Sequence, residues 1–570
     1  MTNGNKSAKK RTYDAIVIGS GISGGWAAKE LSEKGLKTLV LERGPDVKHI
    51  IDYPTTTKMP WDFEHGLNIS LKEQEENPIA SKCYIFKEDA KQFVVKDAEH
   101  PYIQDKPFDW IRGYQVGGKS LLWARETQRW SQLDFDGPAR DGFAVEWPVT
   151  YKELAPWYSY VERFAGITGN RDGLEALPDG EFLKPFEQSC VETYFDGFLQ
   201  KNYKNRRAII ARKAHITDPQ DIHTQQGRAR CMHRNLCQRG CPYGGYFSSN
   251  ASTIPWALNT GNCTLRPDSV VHSIIYDEQK GKATGVRVID RISKEETEFY
   301  ADIIFVNAAA MNTTALLLNS TSSRFPNGLG NDSGTLGKYV AFHNYRARVN
   351  AMYEGFADKT TSGRRVGGSY IPRWRNLYEQ ETDFIRGYAA GFDANRYSGS
   401  GSQGVGEELK NNLFDRKLSP WMVGSHMMGE TIPKETNTVT LDKSKTDQWG
   451  IPLIHFNVSY DDNDHKMTKD YIDNTVEMFE KAGFTNIRVT DDVNKAPGLD
   501  IHEMGGARMG KDPKTSMLNG FNQLHACPNV FVTDGAMMTS TSTQNPSLTY
   551  MAFTARAVDH AISERKKMNL

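Results

Sequence analysis

One stretch near the N-terminus limits the folds open to this chain more than any other. Tyr13-Asp14-Ala15-Ile16-Val17-Ile18 is a short apolar run, Gly19-Ser20-Gly21-Ile22-Ser23-Gly24-Gly25 follows at once, and Trp26 to Lys34 has the make-up of a helix. A second run, Lys37-Thr38-Leu39-Val40-Leu41, ends in Glu42. The order is strand, glycine turn, helix, strand, with G-x-G-x-x-G at the first turn, which is the arrangement that binds dinucleotides. Gly19 permits the tight turn, Gly21 lets backbone close on a pyrophosphate, and Gly24 lets helix and strand pack. The helix N-terminus offers unpaired N–H groups to the phosphates. Glu42, 18 residues after Gly24, stands where a carboxylate takes ribose hydroxyls. The motif by itself does not separate NAD from FAD.

At 570 residues the chain is too long for one core, so two lobes are expected. Lys+Arg and Asp+Glu are equal at 70 each, which points away from nucleic acid and from an anionic membrane surface. No apolar run reaches the roughly 20 residues of a membrane-spanning helix. Lys9-Lys10-Arg11 ahead of an apolar segment imitates a signal peptide, but that segment is the dinucleotide strand itself, so no export signal is expected in this chain. Residues 1 to 10 read as a disordered tail. Seven cysteines form an odd, sparse set rather than a disulfide framework.

Residues 46 to 105 are polar and irregular, an excursion over the surface. Gly117-Gly118-Lys119-Ser120-Leu121-Leu122-Trp123 follows, suited either to a simple glycine turn or to backbone running against a flat ligand with its amides free. Cys263 to Asn307 alternates strand-like runs, with a helix expected from about Thr313 to Leu318. From Tyr345 to Val493 the pattern is aromatic, polar and strand-like, with glycine–serine loops such as Ser398-Gly399-Ser400-Gly401-Ser402 and a helix from about Tyr460 to Gly483.

Cys231, Cys237 and Cys241 form C-x5-C-x3-C, followed by Pro242. Three thiolates in one short loop suit a compact iron–sulfur cluster. Zinc with His233 as a fourth ligand, or plain thiols with one pair oxidised, are the competing readings.

Several motifs together resemble the glucose–methanol–choline (GMC) oxidoreductases over nearly the whole chain. Gly19-x-Gly21-x-x-Gly24 looks like their FAD fingerprint, and Gly117 to Trp123 like their flavin-side loop. His502-Glu503-Met504-Gly505-Gly506-Ala507-Arg508-Met509-Gly510 resembles the catalytic-histidine segment. Val530 to Ala536 and Asn545-Pro546-Ser547-Leu548-Thr549 resemble the closing flavin-binding segment. The resemblance implies an α/β chain with an α+β second lobe: a Rossmann-like FAD-binding domain from 12–45, 205–344 and 494–570, carrying the cysteine loop 231–241. The substrate-binding cap, built on an antiparallel sheet, would take 46–204 and 345–493. The implied FAD contacts are Gly19, Gly21, Gly24, Glu42, Arg43, Gly117, Gly118, Ser120, Trp123, Val271, Asp534, Gly535, Ser547 and Leu548. One signature departs: the family's Gly-Ala-x-x-Ser/Thr-Pro stands here as Ala309-Ala310-Met311-Asn312-Thr313-Thr314. Leu122 occupies the place where some relatives carry a flavin-linked histidine, so the FAD is expected to be non-covalent.

Alcohol oxidation by flavin needs a base for the hydroxyl proton, and a histidine suits near-neutral pH. The resemblance puts His502 in that role, with Asn545 holding the alcohol oxygen. His343 and His426 are weaker candidates than His502; His426 fits the sugar pocket, or more simply the core or the surface. The cysteine spacing resembles that of bacterial sugar dehydrogenase subunits, where the family implies a [3Fe–4S] cluster on Cys231, Cys237 and Cys241. Such a cluster favours a dehydrogenase delivering electrons to a cytochrome or quinone over an oxidase using dioxygen. The nearest resemblance is to glucoside 3-dehydrogenase, oxidising a pyranose C3 hydroxyl. Gluconate, fructose, sorbitol and glucose dehydrogenases are the neighbouring readings, and an FAD-containing lyase or oxidase the remoter ones. The implied partners are a sugar substrate, a small chaperone-like subunit and the acceptor. The expected compartment is the periplasm, by co-export with a signal-bearing partner, or the cytoplasm. Tyr and Trp residues between 345 and 430 are candidates to stack on a sugar face or to fill the core.

Overall fold

The computed structural model describes residues 13–360, 366–399, 404–414, 417–491 and 495–570. The expected N-terminal tail, the domain limits at 12 and 494, and part of the Ser398–Ser402 loop lie outside the described residues.

Ala15–Ile18, Thr38–Leu41 and Ile303–Val306 are buried along their whole length, the apolar make-up that a central parallel strand requires. They pair in parallel, with Ala15 opposite both Thr38 and Ile303. Cys527–Val532 extends the sheet beyond Ile303–Val306, and Cys263–Arg266 extends it beyond Thr38–Leu41. Gln523–Leu524 closes one edge antiparallel, giving six strands. Alternation along each strand divides two cores. Ala15, Val17, Val40, Phe305 and Phe531 face Ala27, Ala28 and Leu31 of the helix Ile22–Glu33 and Ala557, Val558 and Ala561 of the helix Ser547–Lys566. Ile16, Ile18, Leu39, Leu41, Ile304 and Val306 face the opposite way, toward Ile274, Val286 and Val288 of an antiparallel meander. The meander comprises Ser269–Asp277, Lys282–Asp290 and Glu296–Tyr300.

The second lobe is an antiparallel sheet ordered Thr485–Asp491, Ala347–Tyr353, Trp421–Glu430, Tyr388–Asn395, Ser369–Ile371, Ile209–Ile210. Ile209–Ile210 thus joins the cap sheet although its number falls within the 205–344 segment. The helix Asp462–Lys481 packs on this sheet and buries Met467, Tyr471, Met478 and Phe479 in its core. Trp374, Tyr388 and Trp421 lie in that same core, not on the wall of the cavity described below. The excursion over 46–105 has a small core of its own, in which Tyr53, Phe86 and Phe93 pack with Leu121 and Leu122 of the glycine loop. Among the described residues, no helix is long and apolar enough to cross a membrane.

Candidate functional site

A long cavity opens at the C-terminal ends of Ala15–Ile18 and Thr38–Leu41, the place where open α/β sheets take their ligands. Ile18 to Ser23, Glu42 and Arg43 line it, and so do His502, Asn545 and Ser547. The glycines divide their work as their chemistry dictates. A Cβ on Gly24 would stand 2.0 Å from the Gly19 carbonyl oxygen, so only glycine lets helix and strand meet there. A Cβ on Gly21 would meet nothing within 4 Å, because this backbone faces the open cavity. That is a cradle shaped for a pyrophosphate at the start of a helix.

Glu42 is buried and already engaged: Ser20 donates to its carboxylate from Oγ at 2.6 Å and from N at 3.1 Å, and Gly44 N donates at 3.0 Å. Burial raises its pKa, and these donors work against that rise. Ser20 Oγ in turn accepts from Gly117 N at 3.0 Å, which ties the two glycine loops together through one hydroxyl. At the far end of the ribose region, the Arg43 guanidinium lies 4.0 Å from the Tyr114 ring centroid.

Of the expected cofactor contacts, Gly19, Gly21, Glu42, Arg43, Gly118, Ser120, Trp123, Val271, Asp534, Gly535 and Ser547 line the cavity. Gly24 and Gly117 stand behind the wall, and Gly117 packs on the Asn250 side chain. Leu548 is fully buried in the main core and contributes nothing to the wall. It lies in the first turn of the closing helix, from which Ser547 and Tyr550 face the cavity. Asp534 accepts from Thr313 Oγ1 at 2.5 Å and Ala536 N at 3.0 Å, and burial lifts its pKa to about 6. The departing signature is visible as strain: Ala309 caps the helix Ala310–Asn319 at φ 73° and ψ 147°, a conformation natural to glycine. Leu122, an aliphatic side chain without a nucleophilic atom, lines the wall where the flavin-linked histidine was considered.

His502 and Asn545 meet in the cavity, with Asn545 Nδ2 3.1 Å from His502 Nε2. The other ring nitrogen of His502, Nδ1, lies 2.8 Å from Nδ1 of His343, a residue read from sequence as a weaker candidate. Topology makes this contact. Ala341 and Met504 exchange two backbone hydrogen bonds, each 2.9 Å, which lays the 341–344 segment beside 502–504. His343–Asn344 also pairs with the end of Trp421–Glu430, so the cap sheet sets the histidine's height. No local motif marks His343, because its partner lies 159 residues away. Asp500 Oδ2 accepts from His343 N at 2.8 Å, while its other oxygen is buried without a partner. Burial first, and then the neighbouring Glu503, push the Asp500 pKa up to about 7. Burial holds His343 down to about 4 and His502 well below its ordinary value, with facing His343 and Lys119 adding to the latter. Both imidazoles are neutral at working pH. Ligand atoms of His343, Asp500 and His502 lie within 4.8 Å of one another, a donor set also known to transition metals. Here the two Nδ1 atoms are joined at hydrogen-bond length. His426 is packed over Gly391 and Tyr345 and is not part of the wall.

Cys231, Cys237 and Cys241 are free thiols outside the cavity. They share one small space: burial raises Cys231 to about 11, and negative charge on Cys237 or Cys241 would raise it further. Among the described residues, the group of three potential ligand atoms within 4.8 Å of one another is His343, Asp500 and His502, and these cysteines are not part of it. The loop bends through His233, Asn235 and Gly240, all at positive φ. It is joined to the glycine loop, since Tyr246 Oη donates to the Leu121 carbonyl at 2.7 Å and Trp123 Nε1 to the Phe247 carbonyl at 2.9 Å. His215, fully buried, brings Nε2 to 3.9 Å from Cys237 Sγ.

Two sequence models described as GMC oxidoreductase match the chain, over residues 13–343 and 433–554. The chain is 28% identical to 2-methyl-1,2-propanediol dehydrogenase of Mycolicibacterium austroafricanum, over 97% of this chain and 95% of that one. It is 25% identical to the fructose dehydrogenase large subunit of Gluconobacter japonicus, over 97% and 98%. Among solved structures, a formate oxidase variant of Aspergillus oryzae RIB40, studied for its FAD modification, superposes with a TM-score of 0.62 at 14% identity, covering 99% of this chain and all of that one.

Proposed function

The chain belongs to the GMC oxidoreductase family, and on that footing we propose an FAD-dependent dehydrogenase that oxidises a ring hydroxyl of a sugar, the C3 hydroxyl of a pyranose or glycoside, to the ketone. The observation that carries this reading is the His502–Asn545 pair at 3.1 Å, on the wall of the same cavity as the Gly21 cradle. FAD, when bound, supplies the two-electron acceptor for the hydride. Gly21 and the start of the helix Ile22–Glu33 would hold its pyrophosphate, Glu42 its ribose, and Gly118, Ser120, Gly535 and Ser547 its flavin end. A hydroxyl entering between the pair gives its proton to His502 Nε2 and takes a hydrogen bond from the Asn545 amide. Asn545 fixes the oxygen, so it decides which carbon presents its hydrogen. Burial keeps His502 neutral and ready to accept at neutral pH.

The three cysteines in one loop support a [3Fe–4S] cluster as a one-electron exit toward a partner cytochrome or quinone, and the relative named as a large subunit supports a partner chain. Co-export with a partner to the periplasm is part of the same reading. The test is anaerobic mixing of the purified protein with methyl glucoside, lactose, glucose, fructose, gluconate and 2-methyl-1,2-propanediol, following loss of the oxidised flavin band. Bleaching by methyl glucoside with a 3-keto product supports the proposal. Bleaching by fructose or gluconate alone moves the activity to the neighbouring dehydrogenases, and bleaching by the diol alone removes the sugar assignment.

A further inference from the structure

We propose that His343 is a positioning residue that fixes the tautomer of His502, so that the lone pair of His502 Nε2 always faces the substrate. The proposal rests on the reading of His502 as the base and deepens it. The chain of inference begins at two backbone oxygens. His343 Nε2 lies 3.2 Å from the Thr541 carbonyl and 3.1 Å from the Ser542 carbonyl. Carbonyl oxygens only accept, so Nε2 of His343 must carry the hydrogen. A neutral imidazole has one hydrogen, which leaves Nδ1 of His343 as an acceptor. The atom facing it at 2.8 Å, Nδ1 of His502, must then be the donor. His502 Nε2 is left bare, which agrees with the Asn545 amide nitrogen donating to it. Two main-chain carbonyls therefore decide, through one intervening ring, which nitrogen of the base is free.

The surroundings hold this arrangement in place. Ser542 sits at φ 55°, a left-handed turn that brings two successive carbonyls to the same side. Its hydroxyl donates to Asp134 Oδ1 at 2.7 Å, and Tyr370 Oη donates to the Thr543 carbonyl at 3.3 Å, so the turn is anchored from behind. His343 is itself fully buried, and its main-chain N–H is held by Asp500. When His502 takes a proton, its Nδ1–H remains bonded to His343, and a carboxyl oxygen of Asp500 lies within 4.8 Å of a ring nitrogen of each histidine. Lys119 and Glu503, paired at 2.8 Å, are the other charged groups facing His502.

The test uses the FAD-loaded protein and anaerobic stopped-flow reduction by methyl glucoside, fructose and 2-methyl-1,2-propanediol, using whichever of these bleach the wild type. His343→Leu removes the acceptor and should slow reduction about 100-fold with FAD content unchanged. His343→Gln, whose carbonyl can accept from His502, should recover at least tenfold of that loss, a recovery that a purely packing role would not give. His343→Leu added to His502→Asn should cost nothing beyond His502→Asn alone, since residues acting as one unit are not additive. A leucine variant that reduces at the wild-type rate, or a loss that multiplies onto that of His502→Asn, overturns the proposal. If His502→Asn alone leaves the rate unchanged, the base assignment fails first and this inference falls with it. Should the leucine variant not retain FAD, His343→Asn, too short to bridge His502 and the two carbonyls, replaces it against His343→Gln. Equal rates for these two overturn the role.

Discussion

At the scale of single residues, His502 is defined by what touches each of its nitrogens: Asn545 at one and His343 at the other. General-base catalysis contributes typically about 10²–10⁴-fold, so His502→Ala should slow flavin reduction by that order while leaving bound FAD in place. Equal rates in stopped-flow would end the assignment. Ala309 offers a test of the opposite sign. Its φ of 73° and ψ of 147° suit glycine, and such strain costs about 1–3 kcal/mol. Part of the relief is offset by the greater freedom of glycine in the unfolded chain. Ala309→Gly should therefore raise the unfolding free energy by about 1 kcal/mol, read as a shift of the denaturation midpoint. His502 and Asn545 were legible because each sits inside a contiguous motif, and contiguous backbone is what a motif records. His343 was not, since it reaches His502 only through the pairing of Ala341 with Met504. Leu548 erred in the other direction: it stands next to a wall residue, but a helix turns successive side chains about 100° apart, and this one points into the core.

At the scale of elements, the two glycine loops behave as one unit because Ser20 bridges Gly117 and Glu42. A hydrogen bond to a carboxylate is worth about 1.5–3 kcal/mol, so Ser20→Ala should weaken FAD binding about tenfold or more. Titration of FAD into stripped protein reads this directly, and an unchanged affinity would mean that the loops hold their shape independently. The cysteine loop makes a separate prediction. Cys237→Ser should lower iron and acid-labile sulfide while flavin content stays level; unchanged iron would remove the cluster. The strands and helices of the dinucleotide unit were readable because their apolar runs are short, complete and bounded by glycine. The helix expected from about Thr313 to Leu318 runs instead over Ala310–Asn319, since Ala309 starts it without glycine or proline. The aromatic residues of the cap stood open between two readings, because a buried strand and a sugar-stacking wall draw on the same residue types; Trp374, Tyr388 and Trp421 serve the core.

At the scale of the whole molecule, buried histidines set the response to acid. His49, His223, His343 and His426 are depressed to about 4 and His100 to about 3, in each case chiefly by burial. The unfolded chain binds protons at these sites from about pH 6.5 downward, so their contribution to stability is complete above that value and is lost as pH falls toward 4. Asp464 and Asp500, raised to about 7, and Asp534, raised to about 6, act the other way and favour the fold at lower pH. Among the described residues, nine histidines are lowered and eight carboxyls raised, and carboxylates held down by ion pairs, such as Glu30 and Asp141, act with the histidines, so stability should rise with pH between 4 and 6.5. Thermal unfolding at pH 4.5 and 6.5 checks the sign, and a lower midpoint at 6.5 would refute it.

The strand order has a consequence for how the protein is made. Ile303–Val306 stands between Ala15–Ile18 and Cys527–Val532, and the helix Ser547–Lys566 packs on Ile22–Glu33. The strand Ala15–Ile18 and its helix therefore wait for the distant Cys527–Val532 and Ser547–Lys566 to be translated before the sheet is whole and the helix covered. A frameshift anywhere ahead of Cys527 would strip the nucleotide lobe of an outer strand of its sheet and of the helix that covers it.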